Sequence, residues 1–219
     1  DLFLHLHYWD PHGPLSPPPE WIDRGYEPDT SAVTDEQLTR LAASPLYRGG
    51  RHTGVRSRRE LAELLRLYDA EIRYTDHLVG QMCAYLKKRG WYDDCAVILS
   101  ADHGEQYGEG QMILEHGTVH DSCIHIPMLL KLPGGAHRGE VCAHPVYGLD
   151  IAPAAARFFG VAAPEMWHGT ALQDTLDGTA APREYLVCEH GLYTCQRAVL
   201  QDGWKMVHTF SPGLWDFAE

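Results

Sequence analysis

Asp102 and His103 stand side by side between an apolar run, Cys95 to Ala101, and Gly104. A carboxylate and an imidazole at the end of a buried strand can splay into the crevice there and share one cation. The carboxylate is a hard oxygen donor suited to calcium, magnesium or manganese, and the imidazole extends the choice toward zinc. A solvated turn capped by Asp uses the same residue types, so the dipeptide alone leaves both readings open.

A second candidate is His12, inside Asp10-Pro11-His12-Gly13-Pro14. An imidazole restrained by prolines suits proton transfer or anion binding. His5 and His7, two apart in an alternating run, share a strand face and read as core or edge residues. A third group runs from Glu115 and His116 through Gly117 and Thr118 to His120, Asp121 and His125. Its 116/120 spacing invites zinc only weakly, because the carboxylate of an H-E-x-x-H helix is missing. Arg56, Arg58 and Arg59 read as a solvated face, and Lys205 is a strand lysine that reaches a site only if its strand turns inward.

The elements that must position these residues follow from periodicity and punctuation. Leu2 to Tyr8 alternates and predicts a strand ending in the Pro-bracketed loop. A Pro-, Gly- and charge-rich excursion to about Arg58 holds one short helix, Thr34 to Ala43, capped by Thr34 and ended by Pro45. From Ser57, apolar residues recur at helical spacing through Leu86, and Lys87, Lys88, Arg89 and Gly90 mark the stop. Cys95 to Ala101 predicts a buried parallel strand. Met128 to Leu132 predicts another strand, and Asp150 to Phe159 a helix. This alternation argues for a doubly wound α/β sheet over residues 1–180. Past Pro182 the pattern changes to Tyr185–Glu189, Cys195–Leu200 and Trp204–Thr209, with Asp202-Gly203 joining the last two, so 181–219 reads as the start of a small antiparallel subdomain.

The 219 residues carry a net charge of −12, which argues against nucleic acid or an anionic membrane as partner. A small anionic substrate remains compatible if a metal or local cations hold it. No apolar stretch reaches the about 20 residues of a membrane-spanning helix. Six cysteines without C-x-x-C spacing favour free thiols over a zinc site or disulfide framework. Localisation and oligomeric state are not legible.

Taken together, four segments resemble the sulfatase family of the alkaline phosphatase superfamily. They are the approach to Asp10–Pro14, the helix Tyr68 to Asp76, Ser100 to Glu105, and His116-Gly117 leading into Ile126–Leu130 and Pro133-Gly134. With Gly148 to Pro153, the resemblance covers about residues 1–175, as the C-terminal part of the catalytic domain. It implies that Asp102 and His103 are two ligands of a divalent cation, usually Ca²⁺, with Mn²⁺ or Zn²⁺ favoured more where His stands for the family's frequent Asn. It further implies that His12 contacts the sulfate or protonates the leaving oxygen, and that His116 binds the same group. The family's nucleophile is a formylglycine made from Cys or Ser in C/S-x-P-x-R. No Cys or Ser here has that context, so the nucleophile and the family's early pair of metal-binding aspartates are expected upstream. The chain is therefore expected to be a fragment lacking the N-terminal strands, inactive alone. The implied activity of the full-length parent is metal-dependent hydrolysis of a small-molecule or glycan sulfate ester. The alternatives are a phosphonate monoester or phosphodiester hydrolase of the same superfamily, and a non-catalytic anion- or glycan-binding relative.

Overall fold

The computed structural model describes residues 2–43, 54–108, 113–191 and 195–210. Pro45, the expected end of the first helix, and the tail 211–219 lie outside the described residues.

Helix α1 (Asp35–Ala43) begins where Thr34 caps it. Gln37 N donates to Thr34 Oγ1 at 3.2 Å, and Thr34 N to Gln37 Oε1 at 2.8 Å, so two otherwise orphaned donors satisfy each other's residues. The same device opens α2 (Arg58–Lys88), where Ser57 and Glu60 form a capping box. Lys87 and Lys88 then complement the negative helix end, and Gly90 adopts φ +69° just past it. Leu61 of α2 packs with Val33, Leu38, Val55 and Tyr107 in a buried cluster, against which Leu64, Leu65 and Tyr68 also rest. The N-terminal half of α2 thus forms a floor under the segment that follows β1.

Strand β1 (Val97–Ser100) pairs with β4 (Met128–Lys131), Val97 opposite Lys131 and Ser100 opposite Met128. The pairing is antiparallel, where the apolar run predicts a parallel neighbour. An apolar run reports burial of both faces and carries no information on direction, which the connection decides. Between β1 and β4 the chain stays near the C-terminal end of β1. It forms the hairpin β2 (Gln106–Tyr107) and β3 (Ile113–Glu115) and the turn of helix α3 (Asp121–Ile124), then returns down the sheet. Leu2 to Tyr8 pairs with no strand among the described residues, and Leu2, Phe3, Leu4 and Leu6 are 45–77% exposed. A strand needs a ladder partner as well as a pattern.

A 3₁₀ turn, Gly148–Asp150, leads into α4 (Ile151–Phe158), which packs on α5 (Leu172–Leu176). Last comes a meander of β5 (Leu186–His190), β6 (Gln196–Gln201) and β7 (Trp204–Thr209). Its second turn is two residues long, with Asp202 at φ 50° and Gly203 at φ 79°, the left-handed pair that matches strand twist. The meander docks on the loop after β3. Val119 N donates to Gln196 Oε1 at 3.1 Å, and Lys205 Nζ donates to Asp121 Oδ1 at 2.6 Å and to the carbonyl of Val119.

Candidate functional site

Beyond β1 the chain is anchored before it turns: Ser100 Oγ donates to the Pro127 carbonyl at 2.9 Å. Gly104 N then donates to the Cys123 carbonyl at 2.8 Å. A Cβ on Gly104 would lie 2.0 Å from the Ser122 carbonyl oxygen. Glycine is therefore required here by close approach of two backbones, not by an unusual φ. Pressed against α3 in this way, the turn holds Asp102 and His103 at the mouth of the β1 end. Asp102 Oδ1 accepts from His103 N at 3.0 Å, and its Oδ2 lies 3.7 Å from His103 Nε2.

Hairpin pairing brings in the next residues. Gln106 is opposite Glu115, so Glu105 and His116 face each other where the ladder opens. His116 Nδ1 donates to Glu105 Oε1 at 3.0 Å, with the Glu105 side chain 6% exposed. The His116 ring stacks on His103 with centroids 3.8 Å apart and planes at 21°. His12 completes the group, its ring centroid 5.8 Å from His116, 6.4 Å from His103 and 4.8 Å from Trp9.

The imidazoles share an orientation logic. His12 Nδ1 donates to the Gly13 carbonyl at 2.6 Å and His103 Nδ1 to the Gly104 carbonyl at 3.0 Å. A carbonyl only accepts, so each Nδ1 carries the proton and each Nε2 keeps its lone pair in the neutral ring. Such a ring presents Nε2 to a metal or to a proton in transfer. Ligand atoms of His103, Glu105 and His116 also lie within 4.8 Å of one another, close enough to share an ion.

Asp102, His103, His12 and His116, far apart in the chain, are thus brought to one place. His190, at the end of β5, joins them. Burial lowers its affinity for a proton, and the nearby His116 and His103 lower it further. Sequence reasoning missed His190 because nothing in Glu189-His190-Gly191 distinguishes it; the only signal was its place at a strand end. Glu105 was in view as part of Ser100–Glu105, but its pairing with His116 depends on the hairpin register.

Other sequence candidates go elsewhere. His5 and His7 are exposed, with rings 6.3 Å apart. His120 caps α3, accepting from Ser122 N at 3.2 Å, while Asp121 engages Lys205, which holds its carboxyl below the usual range. Arg58 N donates to Asp35 Oδ1 at 2.6 Å and Arg58 Nε to Thr30 Oγ1 at 3.1 Å, tying the start of α2 to the preceding loop. All six cysteines are free, and among them only Cys123 is buried.

The description "Sulfatase" matches the chain over residues 1–161. The multifunctional alkaline phosphatase superfamily protein PehA of Trinickia caryophylli is 27% identical over 78% of this chain and 36% of its own length. An arylsulfatase of Clostridium perfringens is 23% identical over 86% of this chain and 40% of its own length. The chain thus spans well under half of these relatives. The crystal structure of a phosphonate monoester hydrolase of Agrobacterium radiobacter superposes with a TM-score of 0.74 at 21% identity, covering 91% of this chain and 47% of that one. That likeness identifies the fold as the alkaline phosphatase type. With the family description matching residues 1–161, the chain belongs to the sulfatase family.

Proposed function

We propose that the complete protein hydrolyses sulfate esters with the help of a divalent cation, and that Asp102, His103, His12 and His116 are this chain's contribution to the active site. The observation that carries the reading is the convergence of three imidazoles, each held through Nδ1, beside an exposed carboxylate. Relatives named arylsulfatase and choline-sulfatase support the sulfate assignment.

The residues fit the cation. His103 keeps the Nε2 lone pair that metal ligation requires, and the 73%-exposed Asp102 adds a hard oxygen donor 3.7 Å away. Ca²⁺ is the ion favoured by the family resemblance, with Mn²⁺ or Zn²⁺ suited to the imidazole. When bound, the ion supplies a positive charge that draws electron density from the ester as it breaks. In this reading His12, held by Gly13 and Trp9, passes a proton to the departing ester oxygen after Nε2 has taken one up, a contribution of about 10²- to 10⁴-fold. His116 binds the sulfuryl oxygens. In this reading the nucleophile is a formylglycine supplied from outside these residues, since none of their Cys or Ser precedes P-x-R at the required spacing. Residues 1–180 carry the catalytic part and 181–219 the start of a small antiparallel subdomain, a reading supported by β5, β6 and β7 pairing only with one another among the described residues.

A second reading has a specific basis. The structural neighbours include phosphonate monoester hydrolases, one with a TM-score of 0.74, and PehA is described as multifunctional. The complete protein should therefore be assayed on p-nitrophenyl sulfate and on a phenylphosphonate monoester, before and after chelation. Preference for sulfate, lost on chelation and restored by metal, supports the proposal. Preference for phosphonate moves the assignment to phosphoryl transfer, and metal-independent turnover removes the role given to Asp102 and His103. Residues 1–219 alone are expected to give no turnover above buffer.

A further inference from the structure

Glu105 is placed as no surface carboxylate would be. Its side chain is 6% exposed, and while Oε1 accepts from His116 Nδ1 at 3.0 Å, Oε2 is buried with no hydrogen-bond partner among the described residues. On its inner side lies the core cluster. Tyr68 and Tyr107, with rings 4.8 Å apart, both belong there. Burial pushes the Tyr68 hydroxyl up to about 12, and the charge of Glu105 is the next largest cause. Burial raises Tyr107 as well, with Tyr68 and then Glu105 adding to it. On its outer side is the His116 ring, stacked on His103.

Removing a carboxylate from water costs several kcal/mol unless a donor compensates it. Around Glu105 that donor is the imidazole N–H. Its position follows from the hairpin: residues 105 and 116 flank the Gln106–Glu115 pair, so the carboxylate reaches His116 from the core side. An imidazole whose Nδ1 is engaged from behind can turn only its Nε2 edge outward.

We propose that Glu105 is a positioning residue, whose buried carboxylate accepts from His116 Nδ1–H and so turns Nε2, the nitrogen that donates to the substrate anion when protonated, toward that anion. The proposal rests on the reading of His116 as an anion-binding group. It differs from a third metal ligand, which the spacing within 4.8 Å also permits. As a ligand, Glu105 would offer an oxygen to the ion. As a positioning group, it gives Oε1 to a proton of His116 while Oε2 stays buried.

The test uses the complete protein with ¹⁵N-labelled histidine, so that the ring nitrogens of His116 are read directly by long-range proton–nitrogen NMR, with His116→Gln giving the assignment. Glu105→Gln keeps the volume of the side chain but loses the charge. It should change the His116 nitrogen pattern, leave bound metal per chain unchanged, and lower turnover by about 10- to 100-fold. Glu105→Asp should recover part of both. In a His116→Ala background, Glu105→Gln should add no further loss. An unchanged His116 pattern, loss of bound metal in Glu105→Gln, or losses that multiply in the double variant would each overturn the proposal. Absence of sulfate or phosphonate turnover in the unaltered protein would instead refute the proposed activity, and the NMR comparison would still decide the role of Glu105.

Discussion

Asp150 and Glu105 are both carboxylates withdrawn from water, and they differ in how completely they are satisfied. Asp150 is 0% exposed and surrounded by donors: Tyr147 N at 2.7 Å, Thr170 N at 2.7 Å, and Arg183 through both guanidinium ends at 2.9 and 2.6 Å. The Arg183 side chain in turn lies over the Tyr147 ring at 5.0 Å. Glu105 has one oxygen on an imidazole and the other without a partner among the described residues. A closed network of charge-assisted bonds fixes a fold. A half-satisfied buried charge is poorly suited to that task, and is tolerated where it acts on a neighbour. Glu71 of α2 is an intermediate case: it is 1% exposed, with Oε1 accepting from Ser16 N at 2.5 Å and Oε2 buried without a partner among the described residues.

The largest effect is expected at Arg183. Replacing Arg183 with Ala leaves the Asp150 charge buried with two backbone donors only, and should cost about 3–5 kcal/mol. Thermal melting should fall by roughly 10 °C or more. A loss under about 1 kcal/mol would mean that the bidentate pair is not what holds this corner. Glu105→Gln should leave the melting temperature within a few degrees while lowering turnover, which is the contrast the two carboxylates predict.

Gly104→Ala comes next. Its new Cβ meets the Ser122 carbonyl, a backbone atom that cannot swing away, so strain of about 1–3 kcal/mol is expected. Because relief must move the Asp102-His103 turn, metal affinity measured by titration should fall as well. A stable variant that binds metal normally would show the turn to be less tightly held than the Gly104–Cys123 bond implies.

Glu71→Gln acts in the opposite direction, by removing a buried charge. Burial, and to a lesser degree the charge of Asp10, hold the Glu71 carboxyl above its ordinary 4.5. The folded state therefore binds this proton more tightly than the unfolded chain, and its contribution is fully present below about 4.5 and lost as pH rises through the raised value. Glutamine keeps an oxygen for Ser16 N and carries no charge. The variant should melt about 2–4 °C higher at pH 7 for each kcal/mol relieved, and gain little near pH 4. Melting lower at pH 7 would show that Glu71 has an ionic partner.

The smallest effect belongs to His137, which bridges Glu140 at 2.8 Å and Asp177 at 3.1 Å in the open. Its hydrogen bond to Glu140, then that to Asp177, raise its pKa above 6.5. The stabilisation is present in full below about 6.5 and lost as pH rises through the higher folded value. His137→Gln should therefore lower the melting temperature slightly at pH 5.5, hardly at all at pH 9, and less in high salt.

Much of this was legible beforehand because it is written locally. Thr34 is a cap that a few residues specify, and Asp202-Gly203 specifies its own turn; the Ser57–Glu60 box is just as local but emerged only with the structure. The helix over Arg58–Lys88 follows from spacing and the basic stop. The Asp-His pair at a strand end, and His12 between prolines, were recognisable by residue type and by likeness to a family. The direction of β1 against β4 was not, because an apolar run records burial and not the route of the connecting chain. Leu2 to Tyr8 alternates as a strand does, yet alternation supplies no partner.

Helices α1, α2 and α4, the Thr34 cap, the hairpin turn and the kinds of residue available for chemistry were legible in the sequence, since each depends on neighbours within about one helical turn or one pleat; the short α3 and α5 were not. Long-range packing set Glu105 behind His116, stacked His103 on it, and brought His190 in from the last sheet. Those meetings depend on strand register and on the close contact of Gly104 with Ser122, which are settled by packing between distant segments.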